Sequence, residues 1–256
     1  MNFLKKIYTL IKLFRTKLRR IFIKYKLEKN SITSNHHYYS KLNSPNLFNK
    51  LCSLHVTDKG FLESSKIKRL KQYELKPHTY GTIYHNLFYH CRENINLVFE
   101  CGIGTNNINI NHNMTINAKP GASLRVFRDY FPKAHIYGAD IDNKILFQEK
   151  RIFTFEVDQL NTQSIKKMWL KINKNNFDLI IDDGLHTCEA AFNLFINSFE
   201  KLRIGGIYII EDVHYSYLIN LTNKLRKYDP EVIISQNKYL SKYNIKNNNL
   251  IIIKKL

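Results

Sequence analysis

Paired cysteines are the first absence. The four in the chain, at positions 52, 91, 101 and 188, form no CxxC and share no Cys/His ligand spacing, which argues against a zinc site. The opening segment is also unlike a cleavable secretory signal, because its charges continue through its apolar part. Together these features point to a reduced, cytoplasmic protein. No run approaches the ~20 apolar residues that a membrane span needs. Acids are scarce: 21 Asp and Glu stand against 40 Lys and Arg, a formal net charge of +19. Such an excess suits acidic partners, whether phosphate-bearing substrates, nucleic acid or an anionic membrane. Internal repeats are missing too. What is present is 256 residues, 44% of them hydrophobic, ample for one substantial core with an appendage.

The positive charge is densest at the start. Ten of the first thirty residues are Lys or Arg, while Ile7, Leu10, Phe14, Leu18, Ile21 and Tyr25 recur every three or four positions. That spacing predicts a basic amphipathic helix over 1–30. It can lie on an anionic membrane at the inner face, pack on its own domain or a second subunit as part of a homo-oligomer, or meet nucleic acid. Residues 31–50 are polar and turn-rich and read as a linker. From Leu51 to Asn94 the pattern is helical, with Tyr80, Tyr84, Leu87 and Phe88 on one face. The segment 31–94 is therefore expected to be a linker and helical lid, ahead of a domain at 95–256.

From Ile95 onward short apolar runs end in carboxylates or amides: NLVFE (96–100), HIYGADID (135–142), FTFEVDQ (153–159), FDLIIDD (177–183) and GIYIIED (206–212). Helical stretches separate them. This alternation predicts an α/β fold with a mostly parallel sheet covered on both faces. In such sheets the carboxyl ends of the strands form the ligand crevice, so the acids converge on one edge. EVIIS and LIIIKKL close the chain as a final pair whose last strand is antiparallel.

ECGIGTNN follows the first strand. Gly102 and Gly104 let backbone approach a ligand, but the third glycine of a dinucleotide fingerprint is missing. Asp140 can accept from ribose hydroxyls, and Asp158 and Gln159 stand where an adenine edge would lie. Glu100 ahead of the glycines disfavours a pyrophosphate and suits a cationic, amino-acid-bearing ligand. A nucleoside with a positive tail is S-adenosyl-L-methionine.

Over residues 56–215 the chain resembles class I S-adenosylmethionine-dependent methyltransferases. It is most similar to the macrocin and mycinamicin type of metal-dependent sugar O-methyltransferases, whose fold is shared with the cephalosporin hydroxylase family. The carriers are TDKG (57–60), HTYGTIYHNLF (78–88), ECGIGTNN (100–107), PGASLRVFRDYFPKAHIYGADID (120–142), VDQLN (157–161), IIDDGLH (180–186) and GGIYIIEDVH (205–214). The resemblance implies a Rossmann-like seven-stranded sheet of order 3-2-1-4-5-7-6. It also places the aromatic segment of His78, Tyr80 and Tyr84 over the methyl donor, while on the sequence alone these residues read equally as a packed helix. The donor-binding set is then Glu100, Gly102, Gly104, Asn106, Asp140, Asp158, Gln159, Asp182 and Tyr84.

An isolated Asp-Asp-Gly reads as a turn and helix cap. Here Asp183 ends the fourth strand, and Glu211 and Asp212 end the fifth. Neighbouring strands lie about 5 Å apart, so three carboxylates can share one cation, and oxygen-only donors favour Mg²⁺. The family pattern gives the metal to Asp183, Glu211 and Asp212 and makes His186 the catalytic base beside Asp183. Asp182 caps the loop or orients the site, and His214 is a second acid/base or a helix-start residue. Leu185 departs from the pattern, standing where many relatives have Ser. The expected function is Mg²⁺-assisted O-methylation of a small-molecule or nucleotide-linked acceptor. That acceptor offers a hydroxyl or phosphoryl-type oxygen, such as a phosphoramidate, of a precursor of a bacterial surface polysaccharide or capsule. The rival readings are a nucleic-acid methyltransferase, disfavoured because no NPPY-type motif is present, and a non-catalytic membrane scaffold on the same fold.

Overall fold

The computed structural model describes residues 46–60, 78, 80–114, 118–234 and 248–256. The basic stripe of 1–30 lies outside them. Helix α1, Leu47–His55, begins inside the expected linker because the Asn46 side chain accepts a hydrogen bond from Asn49 N (2.8 Å) and so caps it. Helix α2, Tyr80–Phe88, buries Tyr80, Tyr84 and Phe88, but Leu87 leaves that face and is 37% exposed.

One sheet organises the rest. Its strands are β1 (Leu97–Cys101), β2 (His135–Asp140), β3 (Gln148–Glu149), β4 (Ile152–Glu156), β5 (Phe177–Asp182), β6 (Leu202–Ile210), β7 (Glu231–Ile234) and β8 (Asn249–Lys254). They lie in the order β3-β4-β2-β1-β5-β6-β8-β7. Without β3 this is the expected 3-2-1-4-5-7-6, with β8 antiparallel to both of its neighbours. The eighth strand, β3, is a correction to the expected seven. Two residues fold back onto β4 and pair antiparallel with it, too short a stretch to leave a periodic signal.

Both faces of the sheet are covered, which is why β5 is buried along its whole length. On one face, helices α4 (Thr162–Ile172), α5 (Cys188–Ser198) and α6 (Leu218–Lys224) pack Trp169, Phe195 and Leu221 against Phe99, Phe177 and Tyr208. On the other, α3 (Ala122–Tyr130) joins α1 and α2. Phe48 of α1 stacks on Tyr84 (5.0 Å between centroids) and meets Phe127 and Tyr130 edge-on. The helices ahead of residue 95 therefore share the core of the sheet. None of the helices among the described residues is long and apolar enough to cross a membrane.

Candidate active site

Register places the acids. Cys101 pairs with Asp182, and Asp182 with Ile210, so Gly102, Asp183 and Glu211 are the next residues of three adjacent strands. Asp183 N donates to Cys101 O (2.8 Å) and Glu211 N to Asp182 O (2.9 Å), which continues the ladder to that edge. Beyond it opens a cavity of about 920 Å³ lined by Asp140, Asp158, Asp183, His186, Glu211 and Asp212, among others.

Asp183, His186 and Asp212 offer ligand atoms that all lie within 4.8 Å of one another. His186 Nε2 stands 3.9 Å from Asp183 Oδ1 and 4.0 Å from Asp212 Oδ2. Both His186 and Asp212 have positive φ, 52° and 53°, a conformation that few non-glycine residues adopt and that the surroundings must enforce. Tyr217 helps to do so by donating to His186 O (2.8 Å). Asp212 Oδ1 accepts from Tyr80 Oη (2.5 Å) and lies 3.2 Å from His78 Nδ1. Glu211 sits deeper and is buried, with one carboxylate oxygen bonded to Tyr84 Oη and the other to Lys59. Oxygen donors of this kind suit a hard divalent cation.

Lys59 was missed as a site residue. Its motif, TDKG, stood out in the sequence, but no pattern distinguishes one lysine among 40 Lys and Arg. The available signal was indirect, namely an excess of acids at buried strand ends that calls for a counter-charge. Burial works against the ammonium, but Asp183, Glu211 and Glu100 outweigh it and hold its pKa well above the ordinary value. Burial also pushes Glu100 up to about 7, against the pull of Lys59. Glu100 is fully buried and bonded to Ser123 Oγ (2.5 Å). The cation it faces is the chain's own lysine.

Among the other expected donor residues, Gly102, Gly104, Asp140, Asp158 and Gln159 line the cavity, whereas Glu100, Asn106, Asp182 and Tyr84 stand outside its lining. Gly102 has φ 86°, and a Cβ there would run into Asp183 O. Its freedom is needed for the strand to pass under the Asp-Asp-Gly loop. Asp140 accepts from Ile103 N (2.9 Å) and Asp142 N (3.0 Å). Gln159 is engaged at both ends of its amide. It donates to Asp182 Oδ1 (2.7 Å) and accepts from Leu185 N (2.7 Å), so it braces the Asp-Asp-Gly loop. Asp158 caps its own turn by accepting from Leu160 N (2.9 Å). His214 closes a local turn with Ser216, whose N–H it accepts (3.1 Å), and is not part of the lining.

His112, which no sequence pattern marked, has φ 57° and packs edge-on to His186 with centroids 5.4 Å apart. Burial, then the nearby His186, lowers its pKa.

Asp182 carries a stability prediction. Its Oδ2 is buried without a partner, and burial raises its pKa from 3.8 to about 6. Between those values the unfolded chain gives up its proton first, so stability falls as pH rises through that window and the loss is complete above it. Asp182→Asn removes the charge and is expected to stabilise the cation-free protein by ~2 kcal/mol at pH 8. The gain should be close to zero near pH 4. Urea unfolding at the two pH values measures the difference.

No family model matches the chain. Over 140 residues the chain is 32% identical to the 8-demethyl-8-alpha-L-rhamnosyl tetracenomycin-C 2'-O-methyltransferase of Streptomyces olivaceus, covering 55% of this chain and 34% of that protein. It is 36% identical over 97 residues to the mycinamicin VI 2''-O-methyltransferase of Micromonospora griseorubida, covering 38% of this chain and 24% of that protein. The solved structure of the MycE methyltransferase from the mycinamycin biosynthetic pathway, in complex with Mg, SAH and mycinamycin VI, matches with a TM-score of 0.56 at 23% identity. That match covers 83% of this chain and 55% of the other. The matched stretch spans about a third or less of the curated relatives' length. These relatives are O-methyltransferases of the macrocin and mycinamicin type, in agreement with the motifs, and the structural likeness shows a class I methyltransferase fold.

Proposed function

We propose that this chain is an S-adenosylmethionine-dependent O-methyltransferase that uses a divalent cation, with Mg²⁺ as the natural choice, and methylates a sugar hydroxyl of a small glycosylated molecule. The observation that carries the reading is the convergence of Asp183, Asp212 and His186 on the wall of a cavity of about 920 Å³ at the carboxyl edge of the sheet. The relatives are named for the 2'-O position of a rhamnosyl tetracenomycin-C and the 2''-O position of mycinamicin VI, and the rhamnosyl group favours a sugar as the acceptor.

Asp183 and Asp212, with Glu211 behind them, would hold the cation. When bound, it lowers the pKa of an acceptor hydroxyl and fixes its direction. His186 Nε2 takes the hydroxyl proton, and the two carboxylates about 4 Å away stabilise the imidazolium that results. Asp140 presents its remaining lone pairs to ribose hydroxyls. Ile141 and Leu160, each about half exposed on the cavity wall, offer apolar faces to a base. Residues 95–256 supply the donor site, while the 31–94 stretch adds Lys59 and His78 to its wall and backs Asp212 and Glu211 with Tyr80 and Tyr84. The finer acceptor, a phosphate-bearing precursor of a surface polysaccharide, rests on the net charge of +19.

Incubation with methyl-labelled S-adenosylmethionine, Mg²⁺ and a panel of glycosylated small molecules and nucleotide sugars tests this reading. The expected result is label on a sugar oxygen that chelator abolishes. Label on RNA or DNA instead would overturn it.

A further inference from the structure

One ammonium joins three strand ends. Lys59 Nζ lies 2.6 Å from Asp183 Oδ2, 2.6 Å from Glu211 Oε2 and 3.0 Å from Glu100 Oε1, and the residue is 2% exposed. Asp183 follows β5, Glu211 follows β6, and Glu100 is the penultimate residue of β1. The ammonium donates to Asp183 Oδ2 and Glu211 Oε2 and is ion-paired with Glu100 Oε1, and Asp183 and Glu211 are two of the residues assigned above to the cation.

The segment that delivers Lys59 is fixed from both sides. Thr57 N donates to Cys52 O (3.1 Å) at the end of α1, and Gly81 N donates to Lys59 O (2.8 Å) at the start of α2. The Asn49 side chain is wedged between Gly60 and Gly81, where a Cβ on either would collide with its Oδ1. The ammonium is thus placed by backbone contacts, and a bound dication would meet a positive charge already seated on its ligands.

We propose that Lys59 is the built-in counter-charge of the cation site: its ammonium occupies the oxygens of Asp183 and Glu211 until a divalent cation arrives, and that charge sets how weakly the cation binds. The proposal rests on the reading that Asp183, Glu211 and Asp212 hold such a cation. Like charges a few ångströms apart in a partly buried site repel strongly, so removing the lysine tightens cation binding. A merely structural role gives the opposite sign, because a disordered site binds more loosely.

The test is Mn²⁺ binding, counted from the free-ion electron paramagnetic resonance signal, with the full chain and neither methyl donor nor acceptor present. Lys59→Met is expected to bind Mn²⁺ at least tenfold more tightly than the unmodified protein, and Asp183→Ala should abolish binding in both backgrounds. Mn²⁺ should also raise the Tm of Lys59→Met by more than that of the unmodified protein. If Lys59→Met does not fold, the pair Lys59→Met with Glu100→Gln, which leaves one fewer unpaired buried acid, takes its place. Binding by the unmodified protein that is unchanged or weaker in the folded variant overturns the role of Lys59 alone. No Mn²⁺ binding by either protein overturns the cation reading and this proposal with it.

Discussion

Replacing His186 with Gln lowers the rate of methyl transfer by about 10²–10⁴-fold, the span typical for loss of a positioned general base, and leaves donor affinity within a few-fold. The expected split follows from geometry. His186 faces Asp183 and Asp212 from the cavity wall, where the proposed reading puts the acceptor oxygen, whereas that reading assigns the first-strand loop and Asp140 to the donor. Glutamine fills similar space and keeps polarity but takes no proton at neutral pH. Because position 186 has a positive φ, at 52°, a side chain that can occupy the left-handed region is a fairer probe than a β-branched one. Single-turnover rates beside donor titrations measure the split. A rate within threefold of the unmodified protein would mean that His186 is only a loop residue beside the carboxylates.

Asp183→Asn abolishes divalent-cation binding in the accessible range and removes methyl transfer with it. Loss of residues that merely orient metal ligands typically costs 10–100-fold in affinity, so loss of a ligand carboxylate is expected to cost on the order of 10²-fold or more. Asp183 stands out among the acids because it faces both ways: Oδ2 bonds Lys59 and Oδ1 turns toward His186. The substitution keeps shape and leaves Lys59 paired with Glu100 and Glu211, so the fold should survive. Calorimetry with Mg²⁺ and circular dichroism together separate loss of the site from loss of the fold. Cation binding retained within threefold would remove Asp183 from the ligand set.

Much of this arrangement was legible in the sequence because it rests on short-range periodicity. Apolar runs such as FDLIID, buried on both faces of β5, have to be interior strands, and acids just past them have to share the carboxyl edge. That logic placed Asp183, Glu211 and Asp212 together, and the family resemblance added His186. Where the determinants are single contacts, it fails. The α1 helix starts early because of one asparagine cap. Strand β3 exists as two residues folded onto a neighbour. Gly102 reads as a ligand-facing glycine and lines the cavity, but the passing Asp183 backbone that also requires it left no signal. Glu100 reads as a partner for a cationic ligand but pairs with Lys59, which is distant in sequence and looks like any other lysine. His112 reaches His186 through a loop without repeating pattern.

Calorimetric titration with S-adenosylhomocysteine, with and without Mg²⁺, tests the central claim most directly. The account predicts micromolar binding, with Mg²⁺ uptake that Asp183→Ala loses. Absence of any binding by the folded protein would contradict it and return the Asp-Asp-Gly loop to a capped turn.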